Sequence, residues 1–112
     1  MSKGDFLGEL EQVVLLAVAQ LGDEGYGVTI QTEIARRSGR RVSLGSVYAT
    51  LARLEAKGLV GSKLGEAMAT RGGRARRHFR IKPAGLRALE ASRRVFERMW
   101  EGLDQGAEGH RA

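Results

Sequence analysis

The chain has 112 residues, a net charge of +6 and no cysteine. Its length suits one compact domain and is too short for two, and the lack of cysteine excludes disulfides, thiolate metal sites and thiol nucleophiles. The most apolar run, Val13 to Leu21, falls well short of the ~20 residues that span a bilayer, so no membrane association and a cytoplasmic location are expected.

The first predicted element is a helix from Asp5 to Leu21, with Phe6, Leu10, Val13, Val14, Ala17 and Leu21 at helical spacing on one face. Leu7, Leu15, Leu16 and Val18 fill the other sides, giving an apolar helix that needs cover all round. A second subunit is the expected cover. Gly22 to Gly25 form a turn, and Tyr26, Ile30 and Ile34 then mark a second helix. Gly39 is placed to close it in a left-handed conformation, while Arg36 and Arg37 suit its negative end. Ser43 is the expected N-cap of a third helix carrying Leu44, Val47, Tyr48, Leu51 and Leu54 inward and ending at Gly58. Its other face, Gly45, Ser46, Ala49, Thr50 and Arg53, is small or polar and lacks a carboxylate, so it can lie close to a polyanion.

Leu59 to Leu64 reads as a strand. Ala75 to Lys82 alternates as a second, and Gly65 to Arg74 between them forms the tip of a hairpin. Pro83 suits the first position of a last helix that carries Leu86, Leu89, Phe96, Trp100 and Leu103. Three helices, a hairpin and a fourth helix predict a mainly α fold with a small β-hairpin: a winged helix-turn-helix over residues 1–82, then a C-terminal dimerisation helix and tail over 83–112.

Charge follows this division. Residues 36–82 hold 13 basic residues against two acidic ones, a local charge of +11, whereas the remainder holds six against eleven, or −5. A basic centre between acidic arms suits a polyanion-binding face on a separate scaffold. Catalytic constellations are missing: His78 lies in an arginine-rich strand and His110 in the tail, and neither has the companions a general base or metal site needs. No enzyme activity, metal or cofactor is expected.

Ser43 to Val60, SLGSVYATLARLEAKGLV, closely resembles the recognition-helix motif of the PadR family of bacterial transcriptional regulators. The resemblance continues upstream through LGELEQVVLLAVAQLGDEGYGVTIQTEI and downstream through TRGGRARRHFRIKPAGLRAL. Lys82 departs from the pattern by standing where a threonine cap is common, so a looser start to the last helix is expected. The resemblance implies double-stranded DNA as partner, a homodimer, and repression at an inverted-repeat operator. It makes Ser43, Gly45, Ser46, Thr50 and Arg53 the groove-facing residues. Tyr48 is either a core aromatic or a ring packed inside with its hydroxyl on a phosphate. Tyr26 and Gly27 either simply start their helix or offer backbone N–H groups to a phosphate.

Six of the twelve residues from Arg71 to Lys82 are basic, so Arg71, Gly73, Arg74, Arg76 and Arg77 are candidate wing contacts; a charged edge that resists aggregation is the alternative. Leu7, Leu15, Leu16, Val18, Phe96, Trp100 and Leu103 are the candidate dimerisation residues. Trp100 packs in the dimer or the core, or, as the resemblance implies, stacks a small flat aromatic effector. Two other readings of the basic face remain, a sequence-blind nucleic-acid module and a protein-interaction adaptor.

Overall fold

The computed structural model describes residues 6–65 and 76–103. Its elements are α1 (Glu9–Leu21), a 3-10 turn at Gly22–Glu24, α2 (Gly27–Ser38), α3 (Leu44–Ala56), β1 (Val60–Leu64), β2 (Arg77–Ile81) and α4 (Pro83–Trp100). β1 and β2 form an antiparallel pair that runs from Val60 opposite Ile81 to Leu64 opposite Arg77. The expected order and types are all present.

α1 begins at Glu9, later than its apolar spacing suggested. Gly8 is extended at the N-cap, and the Glu11 carboxylate reaches back to accept its N–H at 2.9 Å. That bond satisfies a donor for which the helix has no carbonyl, and it fixes the start of the first turn. Phe6 therefore lies outside the helix and is exposed, rather than on its inner stripe.

α1 is the central element, packed against α2, α3, β2 and α4. Val14, Leu15, Ala17 and Val18 are buried among these neighbours. This corrects the expectation that Leu15 and Val18 face a second subunit, because the chain's own hairpin and last helix help to supply the missing cover. Of the four residues on that side, only Leu16 is exposed, at 49%. Leu7 is half-buried against the core.

α2 buries Ile30 and Ile34 and ends where glycine permits. Gly39 takes φ 74° and ψ 0°, with its N–H on the Ala35 carbonyl at 2.9 Å. In α3, Val47, Thr50, Leu51 and Leu54 follow the i, i+3, i+4, i+7 rhythm and are fully buried. Val60 and Phe79 close the core from the hairpin. The Phe79 N–H donates to the Gly25 carbonyl at 2.8 Å, which stitches the segment before α2 onto β2.

α4 starts with Pro83 in its first turn and Lys82 as an extended N-cap without a side-chain capping bond, as the missing threonine predicted. Its first turns rest on the body, where Gly85 is buried. Ser92 donates from Oγ to Gln12 Oε1 on α1 at 2.7 Å. Beyond Ser92 the large apolar residues Phe96, Met99 and Trp100 are exposed.

Candidate nucleic-acid interface

α3 is capped as its sequence requires. Ser43 Oγ accepts the Ser46 N–H at 3.1 Å and donates to Ser46 Oγ at 2.9 Å. Ser43, Gly45, Ser46, Tyr48 and Ala49 are exposed, and residues 43–54 include no acidic side chain. Apart from the Tyr48 ring, these groups are small, and they lie in the first turns of the helix, near its positive end.

Thr50 does not belong to that surface. It is fully buried, because position 50 falls on the same stripe as Val47, Leu51 and Leu54. Its polarity and the family resemblance both pointed outward, whereas the helical spacing places it inside. Its hydroxyl accepts Arg53 Nη2 at 3.2 Å. Arg53 is exposed but held back toward α1, with Nε 3.7 Å from Glu11 Oε2.

Glu11 joins the first helix to the end of the third. Lys57 Nζ donates to its two oxygens at 3.0 and 2.9 Å, completing a network with Gly8 and Arg53. Burial opposes ionisation of this carboxyl, but the Gly8 N–H and the Lys57 and Arg53 cations outweigh it and hold Glu11 below the ordinary 4.5. The sequence contained the signal, since 11, 14, 15 and 18 share one stripe on which a carboxylate needs partners.

A second cluster joins α2, α3 and the end of the hairpin strands that leads into the tip. Tyr48 is 45% exposed, and its ring and hydroxyl lie so close to Gly27 that a Cβ there would overlap them. It is thus a surface aromatic covering the start of α2 and not a core residue. The Tyr26 N–H, one of two backbone groups considered for a phosphate, donates to Thr29 Oγ1 at 2.9 Å. The Tyr26 ring meets His78 edge-on at 4.4 Å between centroids, and the Arg76 guanidinium lies 5.1 Å from the same ring. Arg76 is exposed, and its carbonyl accepts the Gly65 N–H at 2.7 Å. Tyr26, His78 and Arg76 stand apart in the sequence, where no local spacing links an α2 cap to a later strand.

Arg77 is also exposed but donates to Ser62 Oγ at 3.0 Å, and Ser62 in turn donates to Glu55 at 2.7 Å. Arg71, Gly73 and Arg74 lie outside the described residues.

On another side, the segment before α1, the end of α3 and α4 enclose an open groove of about 690 Å³. Leu7, Leu59, Ala88, Val95 and Phe96 form much of its apolar lining, and Lys57 and Arg87 supply charge. Leu16, Trp100 and Leu103 are exposed outside its lining. Among the described residues no group of His, Asp and Glu could hold a metal, and no helix is long and apolar enough to cross a membrane.

Comparison with known proteins agrees with this architecture. Residues 15–91 match the profile of the transcriptional regulator PadR-like family. The transcriptional regulator Rv3488 of Mycobacterium tuberculosis is 43% identical over 77 residues, which are 69% of this chain and 67% of that protein. A PadR family transcriptional regulator from Eggerthella lenta superposes with a TM-score of 0.66 at 26% identity, over 89% of this chain and 87% of its own. A PadR family regulator from Clostridium difficile gives 0.64 at 19% identity, covering 94% of this chain and all of that one. The fold is the winged helix of these regulators, and the chain belongs to the PadR-like family of transcriptional regulators.

Proposed function

We propose that the chain is a sequence-specific DNA-binding regulator that acts as a homodimer on an inverted-repeat operator and represses by occupying it. The observation that carries DNA reading is the capped, carboxylate-free face of α3 at Ser43, Gly45, Ser46 and Ala49. Small side chains allow this helix to enter a major groove, and its positive end favours phosphates. In this reading Tyr48 Oη, at the start of α2, and Arg76, over Tyr26, meet backbone phosphates, which position the reader without specifying sequence. Arg53 reads a base only after release from Thr50 and Glu11, so its contribution is smaller than its position suggests.

Residues 1–82 form the DNA-binding unit in this reading, and α4 with the tail forms the dimerisation unit. Leu16, Phe96, Trp100 and Leu103 are exposed and Leu7 lines the groove, which supports pairing of α4 with a second copy. Trp100 would pack there, with any flat aromatic effector stacking on the same ring. A location in the cytoplasm, at the nucleoid, follows from the DNA partner.

Competition between the duplex that the full chain selects from a random pool and unselected duplex, repeated across a salt series, tests the proposal. Preference for the cognate site by ~10³ or more is expected. If six to eight phosphates are neutralised, log K against log salt should slope at about −5 to −7. Equal affinity for both duplexes would leave only a sequence-blind module, and a slope shallower than about −2 would remove the electrostatic argument.

A further inference from the structure

The loop between α2 and α3 places two arginines, which the DNA reading does not use, just before Ser43. Residues 40–44 read Arg-Arg-Val-Ser-Leu, and Ser43 is the only serine or threonine of the chain with arginine both two and three positions before it. Two guanidiniums ahead of a hydroxyl, with an apolar residue just after, fit the acidic substrate groove of a basophilic serine/threonine kinase, whose carboxylates pair with the arginines.

The structure makes this segment presentable. Residues 39–43 lie outside the helices, Ser43 is extended at φ −65° and ψ 150°, and Arg40, Arg41 and Ser43 are exposed. Arg40 makes a forked pair with Glu9 at 3.0 Å, but both partners are exposed, so solvent screens the pair and it yields readily to a competing carboxylate. Among the described residues the Ser43 hydroxyl is tied only to Ser46, through the first turn of α3, and the ends of a helix fray most readily. Ser38, which also follows two arginines, is different: it sits in the last turn of α2 and donates to the Ile34 carbonyl at 2.6 Å.

We infer that Ser43 is a phosphoacceptor for a basophilic serine/threonine kinase, and that its phosphate turns off the α3 face. In the transfer, Ser43 Oγ forms a bond to the γ-phosphorus of MgATP as the bond from that phosphorus to the β,γ-bridging oxygen breaks. The hydroxyl proton passes to the kinase's carboxylate base, and ADP leaves. The product carries nearly two negative charges at the N-cap of α3. There the phosphate meets the Ser46 N–H and the helix's positive end, with Arg40 and Arg41 close in sequence, so the fold is kept or strengthened. The switching half of the inference rests on the DNA reading above: the same charge would face DNA phosphates and repel them.

The test uses the folded full chain, MgATP and the catalytic subunit of cyclic-AMP-dependent kinase as a basophilic probe, followed by thermal unfolding and retardation of duplex DNA. Phosphate should appear on the tryptic peptide Val42–Arg53 at Ser43, disappear in Ser43→Asn and form roughly tenfold more slowly in Arg41→Gln. The phosphorylated chain should unfold no earlier than the unmodified one and bind DNA about tenfold or more weakly. Incorporation only after denaturation, or at another residue, overturns the acceptor assignment. Phosphate at Ser43 with unchanged DNA affinity, or with loss of the fold, overturns the switch. If the unmodified chain fails to bind duplex DNA, the DNA reading falls with the switch, while incorporation still decides the acceptor assignment.

Discussion

Two residues, Glu11 and Gly27, connect the scaffold to the proposed DNA face. Glu11 is buried and ionised, and its Lys57 and Arg53 partners anchor the last turn of α3 to the first turn of α1. Because its folded pKa is depressed, its stabilisation is fully present above the ordinary value of 4.5 and is lost as pH falls through the lower folded value. Glu11→Gln should therefore lower stability by about 1 kcal/mol at pH 7, since Lys57 is partly solvated and recovers some hydration. The difference between the two proteins should shrink as the medium is acidified past that window. Denaturant midpoints at neutral and acid pH check this, and a constant difference would show that the carboxylate charge is not what matters. Gly27→Ala should leave stability nearly unchanged because Tyr48 is a surface side chain that can swing away. The same swing removes the phenol from the start of α2, so DNA affinity should fall about three- to tenfold, the loss of one phosphate contact worth ~1 kcal/mol. Retardation assays on the folded variant would read the loss.

At the scale of elements, the helices are legible in the sequence because their apolar spacing and stop signals act locally. Ser43 at the start of α3 and Gly39 at the end of α2 are side-chain and backbone requirements that the chain itself displays. Thr50 misleads because its polarity and its spacing point opposite ways, and a threonine can be buried when its hydroxyl finds a partner. Leu15 and Val18 mislead for another reason: an apolar helix announces that it needs cover but not which element supplies it. Here distant β2 and α4 contribute to that cover. The Tyr26, His78 and Arg76 cluster is hidden for the same reason, since it forms only when the hairpin returns to α2. What remains for a second subunit is Leu16 and the far half of α4. Leu16→Glu with Trp100→Glu should shift sedimentation at micromolar concentration from dimer to monomer and leave the helix content unchanged, because both residues are exposed. Sedimentation of the unmodified chain as a monomer would remove the dimer reading.

At the scale of the whole molecule, membership in a family of transcriptional regulators agrees with the charge division and settles that the chain is a regulator and not an enzyme. In the proposed complex two copies of α3, related by a two-fold axis, read DNA together. Such a pair would sit in successive major grooves ~34–36 Å apart, one helical turn of duplex. Selection of bound duplexes from a random pool by the full chain, followed by sequencing, tests the claim whatever the operator's sequence. An inverted repeat with half-site centres about one turn apart should be enriched. Enrichment of single, unpaired half-sites would contradict the two-fold arrangement, and recovery of a pool with no common sequence would contradict reading by α3 altogether.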